Sequence, residues 1–260
     1  MATLTKQAMK NSFWHRLLDL LAPRLCVACG RRLSLTEKVL CVSCNMHLPR
    51  TGFQYQPADN IMARLFWGII PVERAAALFY YAAGSKPANI LYDLKYHDHP
   101  EIGREMGRLI GCEMGEAGFF EGIDLLVPVP LARSRQRRRG YNQSLELAKG
   151  ISRMTGVPVA GQVVRRTVFK QSQTRMQRRE RQENVEGVFV LTDAAAIRDK
   201  HILLIDDVVT TGATMMACGR ELLRAGGVRL SLLSLGFTSI FAQGDVYDAA
   251  HGYDSHSFAT

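Results

Sequence analysis

From residue 75 onward, short apolar runs alternate with stretches in which apolar residues recur every three or four positions. The runs "AAALFYY", "DLLVPVP", "GVFVL", "HILLIDD" and "VRLSLLSLGF" read as strands, too short and too continuous for helices. Between them, "KPANILYDLKY", "PEIGREMGRLIGCEM", "NQSLELAKGISRMTG" and "ATMMACGRELLRAGG" carry the helical period, the last closed by glycines. Strand–helix alternation predicts an α/β fold with a doubly wound, mainly parallel sheet. Ligands of such sheets bind beyond the carboxyl ends of the strands, where the βα loops gather. Two unusual stretches, "VPLARSRQRRRGYNQ" and "DDVVTTGAT", each follow a predicted strand, so both are expected at that edge as loops.

The first residues, "MATLTKQAMKNSFWHRLLDLLAP", are patterned differently. Phe13, Trp14, Leu17, Leu18 and Leu21 fall near one face of an amphipathic helix, suited to packing on the body or to resting on a membrane surface. No run reaches the roughly 18 apolar residues of a membrane span, and no signal-peptide core is visible, so a cytoplasmic chain is expected.

Charge changes the picture by its distribution. The formal charge is +9. "RSRQRRR" at 133–139 holds five arginines and no acid, and residues 165–183 hold seven basic residues against Glu180 and Glu183. The remainder is close to neutral, so the chain is a neutral body with two basic segments. These suit a polyanion or a phosphorylated ligand, with solvated surface loops as the plainer reading.

Four of the six cysteines form two Cys-x-x-Cys pairs, Cys26/Cys29 and Cys41/Cys44, eleven residues apart. Two tight turns with inward thiolates build a closed tetrahedral site of four sulfurs, the arrangement of structural zinc. Two disulfides or a redox pair are the alternatives, and a reducing compartment disfavours stable disulfides. A closed site of this kind leaves no position for catalysis. His47 reads as a surface residue, Cys112 and Cys218 as core, and "YHDHPE" lacks the spacing for a metal site.

The stretch "LLIDDVVTTGATMM" places two carboxylates at a strand end, before three threonines, a glycine and a helix start. Free N–H groups and the dipole at a helix N-terminus attract phosphate. Thr210, Thr211 and Thr214 add hydroxyls, Ala213 continues the loop, and Gly212 permits close backbone approach. Asp206 and Asp207 would repel phosphate but suit sugar hydroxyls, or Mg²⁺ bridging to a pyrophosphate. The predicted ligand has a phosphate at one end and a diol at the other, as a ribose 5-phosphate does. A plain helix cap with chance threonines is the competing reading.

"ILLIDDVVTTGAT" resembles the PRPP-binding motif of type I phosphoribosyltransferases at every defining position. In that motif the acidic pair contacts the ribose hydroxyls and the threonine loop holds the 5′-phosphate. The order "CVACG…CVSC", "LKYHDHPEIG", "VPVPLARSRQRRRGYNQSLELA", "RRTVFKQSQTRMQRRERQENVEGVF" and then the PRPP loop is similar to the ComF/GntX family. Those proteins resemble amidophosphoribosyltransferases fused to a zinc ribbon, and some are implicated in bacterial DNA uptake. The resemblance covers roughly residues 25–238, although "KYHDHPEIG" spaces Gly103 later than a compact Lys-Tyr-x-Gly would.

It implies a type I phosphoribosyltransferase-like domain at 75–238 behind a small four-cysteine zinc ribbon at 25–55, with a helical extension at 1–24 and a tail at 239–260. Arg133, Arg135, Arg137, Arg138, Arg139, Tyr141, Arg175 and Arg181 would contact pyrophosphate or DNA, and residues 173–184 would form a mobile hood. Zn (structural) and Mg (with PRPP) are the implied metals. PRPP or another ribose 5-phosphate, single-stranded DNA and other DNA-uptake proteins are the implied partners. Two functions follow: a DNA-handling protein that reuses a ribose-phosphate pocket, or an active PRPP-dependent transferase with Asp207 as the candidate base. Tyr141 and Phe169 are the only stacking aromatics in the basic segments, so selectivity among strands is expected to be weak.

Overall fold

The structure is a computed structural model that describes residues 23–96, 98–167 and 188–238. The expected N-terminal helix, the hood with Phe169, Arg175 and Arg181, and the tail from 239 lie outside the described residues. The chain divides into two units, residues 1–48 and 49–260.

In the first unit, Leu25 and Arg32 bridge across a tight turn, closed by Gly30 donating to the Cys26 carbonyl. A short helix α1 (Val42–Met46) follows, and Cys41 caps it by accepting the Cys44 N–H on sulfur. Each Cys-x-x-Cys pair therefore sits on its own backbone turn.

The second unit opens with residues 49–73, which carry two 3₁₀ turns and bury Met62, Phe66 and Ile70. Then come β1 (Arg74–Tyr80), α2 (Lys86–Tyr96), α3 (Pro100–Glu116) and β2 (Leu125–Pro128). After β2 follow α4 (Arg133–Arg139), α5 (Gln143–Thr155), β3 (Val164–Arg166) and β4 (Phe189–Leu191). The chain continues through β5 (His201–Val209), α6 (Ala213–Leu223) and β6 (Arg229–Phe237). Four strands form a parallel sheet in the order β1-β6-β5-β2. The central strands are buried almost throughout, from Ile202 to Ile205 and at Leu230, Leu232, Leu233 and Leu235. Continuous burial is why these strands read as apolar runs rather than alternating ones.

Three expectations change. "RSRQRRR" is not a loop but the helix α4, stopped by Gly140 in the left-handed region at φ 75°. "GVFVL" does not join the main sheet: its Phe189–Leu191 pairs antiparallel with β3 in a separate two-stranded ribbon. An isolated apolar run carries no information about its partner, so the alternation pattern misplaced it. Finally, β5 runs on to Val209, with Val208 opposite Gly236, so the acidic pair lies inside the strand rather than at its end.

Helices α3 and α5 meet backbone to backbone. A Cβ on Gly107 would fall 2.1 Å from the Leu147 carbonyl oxygen, and one on Gly150 2.2 Å from that of Arg104. On another side, α5 packs against β5 and β2. No helix among the described residues is long and apolar enough to cross a membrane.

Candidate ribose-phosphate site and cysteine cluster

Near the carboxyl end of β5, helices α5 and α2 converge on the acidic pair. Asp206 Oδ1 accepts from the Asp207 N–H at 2.9 Å and from Ser144 Oγ at 3.1 Å. Ser144 stands in the first turn of α5, which Asn142 caps by accepting the Ser144 N–H while its amide donates to the Val129 carbonyl. Asn142 thereby ties the segment after β2 to the helix that holds Asp206. On the other side, Lys95 of α2 approaches Asp207 Oδ2 at 3.4 Å.

The two carboxyls differ in environment. Part of the Asp206 surface meets solvent, yet close protein packing desolvates its carboxyl, and Asp207 repels its charge. Together these raise its pKa to about 7, against hydrogen bonds from the Asp207 N–H and Ser144. Asp207 has an ammonium partner in Lys95. One acid close to neutrality beside one paired carboxylate suits hydrogen bonding to a diol without a resident metal. A Mg²⁺ ion at this pair would have to compete with Lys95, so it fits best as an ion that arrives with a pyrophosphate.

Past Val209 the chain turns into α6. Thr210 and Thr211 are exposed, and Ala213 and Thr214 are half-buried. Gly212 is the N-cap, with φ 75°, and a Cβ there would fall 3.0 Å from the Phe66 ring. Only glycine combines that dihedral with that floor. A small concavity is lined by Asp206 and residues 208 to 215. Six of the seven residues expected to hold PRPP line this concavity, and Asp207, next to Asp206 in β5, does not.

The arginines of α4 divide by side. Arg133, Gln136, Arg137 and Gly140 line an open basin of about 420 Å³. Arg135 and Arg138 are also exposed. Arg139 is committed elsewhere: its guanidinium lies over the Tyr96 ring, 5.5 Å from the centroid, and donates to Gln143 Oε1 at 3.1 Å. Tyr141 is half-buried and donates its hydroxyl to the Leu94 carbonyl at 2.6 Å. Burial, with Glu101 and Asp98 nearby, raises its pKa to about 12. Its phenol is therefore a brace between α2 and the link from α4 to α5, rather than an outward stacking surface.

Three residues of the site escaped the sequence reading: Lys95, Ser144 and Arg166. Arg166 of β3 packs over Phe189, 5.4 Å from the centroid. Burial and the neighbouring Arg135 lower its pKa, while Asp206 raises it, so it stands within electrostatic reach of both. Lys95 lies in the quoted "LKYHDHPEIG", where its charge was the available signal. Ser144 and Arg166 carry no local signature, because tertiary packing alone brings them to Asp206.

In the first unit, the sulfurs of Cys26, Cys29, Cys41 and Cys44 all lie within 4.8 Å of one another. Burial resists ionisation of Cys41, but the Cys44 N–H and Arg31, whose guanidinium donates at 3.2 Å, outweigh it and hold its pKa at about 6. Cys44 is pushed the other way by burial and by the thiols around it. Four thiols this close ionise together only around a cation, so the donor set fits a tetrahedral metal such as zinc.

A model of the phosphoribosyl transferase domain family matches residues 95–254. The DNA utilization protein YhgH of Escherichia coli strain K12 is 29% identical over 219 residues, covering 81% of this chain and 89% of that protein. Competence protein F of Haemophilus influenzae is 30% identical over 217 residues, covering 77% and 91%. Among solved structures, the glutamine phosphoribosylpyrophosphate amidotransferase from B. subtilis, complexed with ADP and GMP, aligns with 65% of this chain and 39% of its own, at 15% identity and a TM-score of 0.38.

Proposed function

Because the chain belongs to the phosphoribosyl transferase domain family, and within it to the group of competence protein F, we propose that it binds a ribose 5-phosphate ligand of the PRPP type and engages single-stranded DNA during DNA uptake. The observation that carries this reading is the gathering of two complementary surfaces at one sheet edge. One is the concavity lined by Asp206 and the loop from Thr210 to Thr214, with Asp207 beside Asp206 in the same strand and paired to Lys95. The other is α4, whose arginines at 133, 135, 137 and 138 face solvent. Strands β5 and β2 are hydrogen-bonded neighbours, so the loops that follow them share that edge.

The ligand's phosphate would rest on the N–H groups and hydroxyls that open α6, and its ribose hydroxyls on the acidic pair. A pyrophosphate would extend toward Arg133 and Arg137, whose planar guanidinium groups suit paired contacts with phosphate oxygens. Any magnesium would enter with that pyrophosphate. A single DNA strand would lay successive phosphates along α4, giving binding that weakens as salt rises. The relatives' names, which speak of DNA utilization and competence, supply the cellular setting and the expectation of other DNA-uptake proteins as partners.

Calorimetry with PRPP and Mg²⁺ tests the cradle: heat of binding in the wild type, lost in Asp206→Asn/Asp207→Asn. Absence of binding in the wild type overturns it. Titration of a labelled single strand at several salt concentrations tests the DNA half, and a flat salt dependence overturns that half alone.

A second reading, transferase activity, draws support from Asp206, whose pKa near 7 suits proton exchange at neutral pH. In it, a nucleophile displaces pyrophosphate from the anomeric carbon while arginines stabilise the leaving group. Asp207, the candidate base from sequence, is paired with Lys95 and suits sugar binding better. Release of pyrophosphate from PRPP, with and without candidate bases, is the measurement that separates the readings.

A further inference from the structure

Helix α2 turns Ile90, Leu91 and Leu94 inward. Its outer face carries Tyr92 and Tyr96, one helical turn apart, with 55% and 53% of their surface exposed. Their ring centroids are 4.9 Å apart with planes inclined at 43°, so the pair forms one broad aromatic surface. The same surface continues into α4, because the Arg139 guanidinium lies over Tyr96. The platform is held from below. Tyr141 anchors the last turn of α2 through the Leu94 carbonyl, and Lys95 ties it to Asp207.

We propose that the Tyr92–Tyr96 pair, joined to α4 through Arg139, is a base-stacking platform for single-stranded DNA. The proposal rests on the single-strand reading above and deepens it by adding a contact to bases. Charge complementarity selects the occupant. Four exposed arginines on α4 adjoin the aromatic surface, which favours a polyanion. The polyanion whose units also carry a flat π-face is a nucleic acid, and only unpaired bases offer that face. Arg139, whose guanidinium lies over one face of Tyr96, joins the aromatic pair to the helix of the backbone-binding arginines. The strand would thus lie with phosphates on α4 and bases over α2.

The test compares a labelled oligo-dT strand with an abasic strand of equal length at one salt concentration. The full-length chain is used as wild type, as Tyr92→Leu/Tyr96→Leu and as Tyr92→Phe/Tyr96→Phe. Wild type should prefer oligo-dT over the abasic strand by roughly 5- to 100-fold. The leucine variant should lose most of that preference, the phenylalanine variant should keep it, and all three should bind the abasic strand alike. A leucine variant that keeps the preference, or that weakens on both strands equally, overturns the platform. If neutralising Arg133, Arg135, Arg137 and Arg138 abolishes binding while the leucine variant is unchanged, the single-strand reading survives without it. If wild type binds neither strand, both fall.

Discussion

A carboxyl group that is desolvated and faces a second carboxylate holds its proton more tightly in the folded chain than in the unfolded one. Asp206 is such a group, with its pKa raised to about 7 from an unfolded value near 3.9. Between those two values the native state binds the extra proton, so stability falls as pH rises from about 4 to about 7 and is level above that. Asp206→Asn should flatten this stretch of the profile. At pH 8 it should raise stability on the order of 1–2 kcal/mol, less than the full shift because part of the side chain meets solvent. Denaturant melts at pH 4.5 and pH 8 check it; equal losses in both proteins would contradict the assignment. The same substitution removes the proposed sugar contact, so a more stable variant with weaker ligand binding is the expected trade. Gly212 behaves oppositely. Gly212→Ala forces a side chain into the left-handed region and toward the Phe66 ring, and should cost about 1–3 kcal/mol of stability. Ligand binding should weaken with it, read by calorimetry on the folded fraction.

At the scale of elements, α4 and the α3–α5 contact make separable predictions. Each phosphate neutralised on a single strand contributes about 0.7 to the slope of log affinity against log salt. Removing the charges of Arg133, Arg135, Arg137 and Arg138 should therefore flatten the slope by up to about 3. Arg139→Ala should instead lower the melting temperature, because that guanidinium packs on Tyr96 and bonds Gln143. Gly107→Ala places a methyl group 2.1 Å from a carbonyl oxygen and should destabilise by about 3 kcal/mol or more, as seen in a denaturant midpoint. These elements also show what the sequence made legible. Helix limits followed from periodicity where an apolar face met the core, as in Lys86–Tyr96, whereas β5 ran two residues past its apolar run. Helix α4 was hidden because it buries none of its residues, so no apolar period announced it. The pairing of β3 with β4 was hidden because a three-residue strand has no period to read.

For the whole chain, motif order carried more than composition did: the acidic pair, the threonine loop and the cysteine pairs were each contiguous in sequence and stayed together in space. What stayed illegible was long-range. Ser144, Lys95 and Arg166 reach the acidic pair from three different elements, and the arginines sort into solvent-facing and packed groups only once α4 lies beside α2. The N-terminal unit is the case in which local pattern and stability coincide. Its described residues have one five-residue helix and one isolated bridge of regular structure, too little to stand by backbone pairing. Structural zinc supplies on the order of 10 kcal/mol of apparent folding free energy in such small units. The chain should therefore carry about one zinc per molecule by elemental analysis, and Cys26→Ser should lose it. A strong chelator should open residues 25–48 to protease, because the four sulfurs lose the bonds that hold the two turns together once the cation leaves. The amides of β5 and β6, in the second unit, should keep their protection from hydrogen exchange, since the parallel sheet there is buried by its own side chains. Cleavage unchanged by chelation would remove the metal from the account of this unit's fold, and two disulfides, detectable by thiol titration under denaturing conditions, would then have to close it.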